Sequence, residues 1–353
     1  MNDYKTLLEK YIQRLINEDA SDLHISENRR PVVRVSGGLT TLVEEQELIK
    51  EDILGLLVEL VGLDKKENFL KEKELDFSYS DTKIRFRGNA FYHRGEISIA
   101  LRVIPKKIRT LQELNLPPIL EEFSNKKQGF FLVVGPVGQG KSTTLASMIN
   151  IINEKRSEHI LTIEDPVEYV YEQNKSIIDQ REVGIDTDDF KKGLKSMFRQ
   201  DVNVILLGEM RERETMSTAV TAAETGHLVF STLHTNTASQ TIDRIIDSFP
   251  AEQQGQIRTQ LAGSLTGIFS QRLVPAISGG MVPAFELLIN NNAVSNLIRE
   301  GRTYEIDSVI ETGSQLGMIS LNRSLADLVN QGKITLENAR KYSSDISNFD
   351  KLI

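Results

Sequence analysis

The segment Gly135-Pro136-Val137-Gly138-Gln139-Gly140-Lys141-Ser142 constrains the fold of this chain more than any other stretch. It matches the phosphate-loop pattern of two glycines, a lysine and a hydroxyl residue at fixed spacing. The run before it, Phe130-Phe131-Leu132-Val133-Val134, is short and wholly apolar, as a buried strand requires. After it, the run from Thr143 to Ile149 predicts the start of a helix. Strand, glycine turn and helix in that order aim backbone N–H groups and the positive end of a helix at an anion. In such a loop the lysine, Lys141, reaches the β- and γ-phosphates, and the hydroxyl of Ser142 ligates Mg2+. The expected ligand is a nucleoside triphosphate, ATP, cradled from Gly135 to Thr143.

Composition narrows the class. A chain of 353 residues is long enough for two domains with a sizeable core. Its 42 basic and 50 acidic side chains leave a net charge of −8, which argues against a broad basic footprint for nucleic acid. The absence of cysteine excludes disulfides, thiolate zinc sites and thiol catalysis. No apolar run approaches the ~20 residues of a membrane span. The start, Met1-Asn2-Asp3-Tyr4-Lys5, has none of the regions of a signal peptide. The expectation is a soluble cytoplasmic protein that meets a membrane only through partners.

The periodicity along the chain divides it in two. Residues 4–18 place Leu7, Leu8, Tyr11, Ile12, Leu15 and Ile16 at helical spacing. Residues 22–43 alternate like strands about a turn at Gly37-Gly38, 50–62 read as helix, and 74–104 as three strands. Residues 1–104 therefore predict a small α+β domain. Pro105, Pro117 and Pro118 mark 105–118 as a linker. From 119 to 353 buried strands, at 129–134, 159–163, 203–208 and 227–232, alternate with helices. That pattern predicts an α/β domain with a mostly parallel sheet and flanking helices. From about 290 only helices are expected, at 293–300, 320–331 and 335–343.

Three further motifs carry chemistry. In Val204-Ile205-Leu206-Leu207-Gly208-Glu209, an apolar strand ends in a carboxylate that can hold Mg2+ or orient the attacking water. In Leu161-Thr162-Ile163-Glu164-Asp165-Pro166-Val167-Glu168, three carboxylates crowd a strand end expected beside the phosphate loop. Glu168 is the favoured water-activating base, and Glu164 and Asp165 are candidates for the metal side. Finally, His227 and His234 bracket the apolar strand between them. They are candidate γ-phosphate sensors, too far apart along a strand to ligate one metal.

These motifs, in this order, resemble the Walker A, Asp box, Walker B and His box of secretion-type traffic ATPases. The chain is most similar to the type IV pilus retraction ATPases, the PilT family. The resemblance runs nearly end to end, through Ala20-Ser21-Asp22-Leu23-His24, Arg85-Phe86-Arg87-Gly88-Asn89-Ala90, Gln180-Arg181-Glu182-Val183, Thr241-Ile242-Asp243-Arg244 and Phe249-Pro250. It implies a PAS-like N-terminal domain, a RecA-like ATPase domain and a homohexameric ring. In that ring, ATP-driven domain closure would act on an inner-membrane platform protein to disassemble pilin, at the inner face of the cytoplasmic membrane. It also implies Glu168 as general base, Glu209 as the Walker B glutamate, and His227 and His234 as the His-box pair. Arg199, Arg244 and Arg272 match arginines near phosphates or subunit boundaries, and Arg85, Arg87 and Arg102 match N-domain arginines that approach nucleotide.

The chain also departs from the family. Val137 and Gln139 stand in place of the usual Thr and Ser, at positions expected to act chiefly through their backbone. Val202-Asn203 replaces Pro-Asp, Phe285 replaces the His of an Ala-His-Glu segment, and Ser295 replaces an Arg in Ala293-Val294-Ser295-Asn296-Leu297-Ile298-Arg299-Glu300. Extension ATPases of the superfamily carry a tetracysteine zinc module that a chain without cysteine lacks. Retraction is therefore the expected direction, with pilus assembly or a competence pilus as the alternative and a DNA-handling motor as the remote one.

Overall fold

The structure, a computed structural model, describes residues 3–35, 37–81, 84–104 and 107–353. Pro105, which opens the expected linker, lies outside the described residues. The chain divides into two compact units, one of Met1–Lys107 with Glu168–Val170, the other of Ile108–Val167 with Tyr171–Ile353.

The first unit runs α1 (Tyr4–Asn17), β1 (Asp22–Ser26), β2 (Val32–Val35), β3 (Gly38–Thr41), α2 (Lys50–Glu72), β4 (Glu74–Ser80), β5 (Arg85–His93) and β6 (Glu96–Ile104). Its strands form one antiparallel sheet in the order β3-β2-β1-β6-β5-β4. The helical spacing in α1 buries Leu8, Tyr11, Ile12 and Leu15 in a core shared with Leu56, Leu57 and Phe69 of α2 and Leu23, Phe86 and Ile99 of the sheet. Asp3 caps α1 by accepting from the Thr6 N–H. Helix α2 runs ten residues beyond the expected end at 62. Gly62 is non-helical there and breaks the pattern, so the sequence shows only the first half.

The second unit begins with α3 (Leu120–Ser124), β7 (Gly129–Val134), α4 (Lys141–Lys155), β8 (His159–Glu164), β9 (Ile177–Glu182), α5 (Phe190–Met197) and β10 (Val204–Leu207). It continues with α6 (Arg213–Glu224), β11 (Leu228–Leu233), α7 (Ala238–Asp247), α8 (Ala251–Ser264), β12 (Leu265–Pro275) and β13 (Met281–Ile289). It ends with α9 (Asn292–Glu300), α10 (Ile306–Thr312), α11 (Leu321–Asn330), α12 (Leu336–Tyr342) and α13 (Ile346–Phe349). The sheet order is β13-β12-β7-β11-β10-β8-β9, parallel throughout except for β13, which is antiparallel to β12. Every residue of β7, β10 and β11 is buried, which is why these strands read as continuous apolar runs.

Two expectations need correction. Strand β8 does not neighbour β7; β11 and β10 lie between them, because chain order and spatial order differ in a crossover sheet. Three strands were also missed. The edge strand β9 buries little of its polar sequence, β12 follows α8 without a turn, and β13 carries Pro283, which only an edge strand tolerates.

Candidate functional site

In a parallel sheet every strand delivers its C-terminal end to the same edge. The loops after β7, β8, β10 and β11 therefore converge, and these loops hold most of the residues singled out above. The phosphate loop leaves β7 at Gly135 and enters α4 at Lys141. Gly135, Gly138 and Gly140 adopt φ of 142°, 76° and 78°, a left-handed backbone that glycine reaches without strain. Gly140 stands at the N-cap of α4, so no cap side chain covers that helix end. Val137 points outward at 81% exposure, and a Cβ on Gly138 would meet open space. This is a cradle open to an anion, with backbone as its lining and a helix dipole behind it.

The side chains at this edge form a connected set. Lys141 is 8% exposed, and its Nζ donates to the carbonyls of Gly135 and Pro136, both at 2.9 Å. His234, one residue past β11, places Nδ1 3.4 Å from that Nζ and Nε2 3.5 Å from the Glu209 carboxylate. The tautomer with its proton on Nε2 fits both neighbours, since Nδ1 then accepts from the ammonium. Arg211 holds Glu209 from the other side at 2.8 Å. The hydroxyls of Ser231 and Thr232 donate to the Leu207 and Gly208 carbonyls, which ties β11 to the strand end carrying Glu209. Lys141, Glu209 and His234 thus meet at one edge although 93 residues separate the lysine from the histidine in sequence. Glu164 is buried at the end of β8 and accepts from Thr162 Oγ1 at 2.6 Å, while Asp165 and Glu168 lie in the exposed loop that follows.

The structure does not bring all the candidates here. His227 precedes β11, and its carbonyl accepts from the Gly129 N–H at the start of β7, so it stands at the opposite edge of the sheet from His234. Seven residues of extended chain separate the two by roughly 23 Å. Arg199 follows α5 at that same far edge, where its neighbour Phe198 packs edge-on against His227 with ring centroids 5.7 Å apart. The flanking pattern placed both histidines near a phosphate; the structure sets only His234 beside the phosphate loop of its own chain. Arg244 is exposed on the last turn of α7. Arg272 is turned inward, donating to Asn236 Oδ1 at 2.8 Å and to the Gln271 carbonyl at 2.9 Å, and burial lowers its pKa. Arg85, Arg87 and Arg102 belong to the first unit, where Arg102 pairs with Asp22 at 2.8 Å.

Several residues at this edge were missed. Ser270 and Glu286, on β12 and β13, accompany Arg272 in anchoring the loop after His234. The Ser270 hydroxyl donates to the Asn236 carbonyl at 2.7 Å, and Glu286 accepts from the Ala238 N–H at 2.8 Å, at the first turn of α7. Burial pushes the Glu286 carboxyl up to about 7; the Asp307 charge adds to this, while the Ala238 N–H and Arg272 oppose it. On the other side of the phosphate loop a cavity of about 80 Å3 is lined by Arg109, Leu114, Leu116, Thr143, Thr144 and Pro283. No local signal marks these positions, because each matters only through a partner far along the chain. The departures also find structural partners. Asn203 Oδ1 accepts from the His159 N–H at 2.8 Å, Phe285 stacks on Phe269 at 5.0 Å, and the Ser295 hydroxyl donates to the Ala262 carbonyl at 2.9 Å.

Ser142 and the carboxylates of Glu209 and Glu164 offer the hard oxygen donors that Mg2+ takes. Among the described residues no group of three or more His, Cys, Asp or Glu could cage a metal. Among them, too, no helix is long and apolar enough to cross a membrane.

Comparison with known proteins agrees with this fold. The chain is 42% identical over 333 residues to the type IV pilus retractation ATPase PilT of Pseudomonas aeruginosa, covering 94% of this chain and 96% of that one. It is 44% identical over 313 residues to a twitching motility protein of Neisseria gonorrhoeae, covering 88% and 83%. The crystal structure of the pilus retraction motor PilT with bound ADP superimposes with a TM-score of 0.91 at 45% identity, covering 97% of this chain and 98% of that one. The profile described as Type II/IV secretion system protein matches residues 2–335, and the chain belongs to that family.

Proposed function

We propose that this protein is an ATP hydrolase, a homohexameric motor that powers type IV pilus retraction from the cytoplasmic face of the membrane. The observation that carries this reading is the meeting of Lys141, His234 and Glu209 at the mouth of the phosphate loop. Near full-length similarity to proteins named for pilus retraction and twitching supports the direction.

Phosphoryl transfer asks a protein for positioning and charge more than for covalent chemistry. The loop amides and Lys141 hold the β- and γ-phosphates, and Lys141 leaves the Gly135 and Pro136 carbonyls to do so. The cavity beside Thr143 takes the nucleoside side of the ligand. Ser142 and Glu209 would hold Mg2+, which would neutralise the charge that builds on the phosphate oxygens. Glu209 orients the attacking water, with Glu168 as the proton acceptor by likeness to the family's Asp box. His234 touches both the lysine and Glu209, so loss of the γ-phosphate is felt at the loop leading into α7. Arg199 and His227, at the other edge of the sheet, are left out of this chemistry.

Two variants and one strain test the proposal. Lys141→Ala should lose ATP binding by about a hundredfold or more, while Glu209→Gln should bind ATP and lower kcat by about 10²–10³. Turnover in Lys141→Ala equal to the unmodified protein would end the enzymatic reading. Deletion of the gene should leave cells heavily piliated and unable to twitch; bald cells would assign the motor to pilus assembly instead.

A further inference from the structure

The phosphate loop rests on strand β12 through a closed set of hydrogen bonds. The side-chain oxygen of Gln139 accepts from the Leu273 N–H at 2.7 Å, and the Gln139 carbonyl accepts from Gln271 Nε2, also at 2.7 Å. The side-chain oxygen of Gln271 in turn accepts from the Thr144 hydroxyl of α4 at 2.6 Å. That hydroxyl has one proton, and this short contact takes it in preference to the Gly140 carbonyl at 3.2 Å. Gln271 is 3% exposed and Thr144 is 1% exposed, so the bond between them is shielded from water.

The same residue of β12 also dictates two of the glycines. A Cβ on Gly135 would come within 2.5 Å of the Gln271 carbonyl, and one on Gly140 within 2.9 Å of Gln271 Nε2. The loop backbone is pressed onto Gln271 at both ends and pinned in the middle by Gln139. Position 139 is expected from the sequence to act chiefly through its backbone. In the structure its side chain contributes as well, reaching across to another strand.

We propose that Gln139, Gln271 and Thr144 form a clamp that holds the phosphate loop in its anion-accepting shape, and so sets affinity for nucleoside di- and triphosphates. This rests on the loop being the nucleotide site. A loop ordered within the protein itself surrenders less conformational freedom when phosphate arrives, and binding is tighter by that difference. The three residues position the amides and touch no reacting atom, so the clamp acts on KM and dissociation constants far more than on kcat.

The test uses the full-length protein, mant-ADP as the binding probe and steady-state ATP hydrolysis. Gln139→Met keeps the length of the side chain and removes its acceptor. It should raise the mant-ADP Kd and the KM for ATP together by about two- to tenfold, the worth of one hydrogen bond. At saturating ATP, kcat should change far less. Thr144→Val should shift both constants the same way, and Thr144→Ser, which keeps the hydroxyl, should restore them. That pair decides the matter should Gln139→Met fold poorly, as its melting temperature would show. Unchanged Kd in both Gln139→Met and Thr144→Val, or Kd and kcat worsening in step, overturns the clamp. Failure of the unmodified protein to bind mant-ADP would instead sink the nucleotide-site reading beneath it.

Discussion

His227 and His234 stand at the two ends of β11, and the structure gives them different surroundings. His234 lies between an ammonium and a carboxylate, on the edge where four loops converge. His227 Nδ1 lies 2.9 Å from the Ala222 carbonyl, which accepts its proton, and the ring abuts Phe198, an ordinary way to satisfy a part-buried imidazole. Both follow the same sequence logic, a histidine flanking an apolar strand. What separates them is strand direction. In a parallel sheet the C-terminal edge collects helix N-termini and loop amides, whereas the N-terminal edge collects helix C-termini. Only the first suits an anion.

The comparison can be broken most directly at the histidines. His234→Ala should lower kcat by about 10–100-fold with nucleotide still bound, whereas His227→Ala should stay within a few-fold and lower the melting temperature by a few degrees. Equal losses of kcat would show that the far edge serves catalysis after all, by completing the site of a neighbouring copy.

Glu286 sharpens the contrast from the phosphate-loop edge. Its folded pKa, about 7, lies above the unfolded value of 4.5, so the folded state holds the extra proton between those pH values. Stability contributed by this group is therefore full below pH 4.5 and declines as pH rises towards 7, by on the order of 3 kcal/mol at most. Glu286→Gln should flatten that decline, seen as a smaller difference in melting temperature between pH 5 and pH 8. An unchanged difference would mean that the carboxyl is already charged in the folded protein.

The smallest effect belongs to the far edge. Phe198 is 45% exposed, and Phe198→Ala should cost about 0.5–1.5 kcal/mol through the lost ring contact, read by denaturant unfolding, with ATP affinity unmoved. A shift in ATP affinity would tie the two edges together.

Much of the fold was legible because its signals are local. β7 and β11 are buried on both faces and read as apolar runs, α1 shows its inner stripe, and the loop glycines announce a left-handed backbone. Of the candidate site, Lys141, Ser142 and Glu209 could be singled out from their motifs. Their spatial order could not, since β8 follows β7 in the chain yet lies three places away in the sheet. Gln271 could not be named either: nothing around it in sequence hints that it supports Gln139, 132 residues earlier.

The sequence by itself determined that a glycine loop links a buried strand to a helix, that a mostly parallel sheet carries it, and which lysine, hydroxyl and carboxylate are the candidates for a phosphate and its metal. These follow from backbone preference and burial over a few neighbouring residues. Only the tertiary structure decided which histidine meets the lysine and that Arg272 is turned inward to brace a loop. It alone showed that Gln139 acts through its side chain. Each of those depends on which strands become neighbours and in which direction they run, and no short stretch of chain encodes that alone.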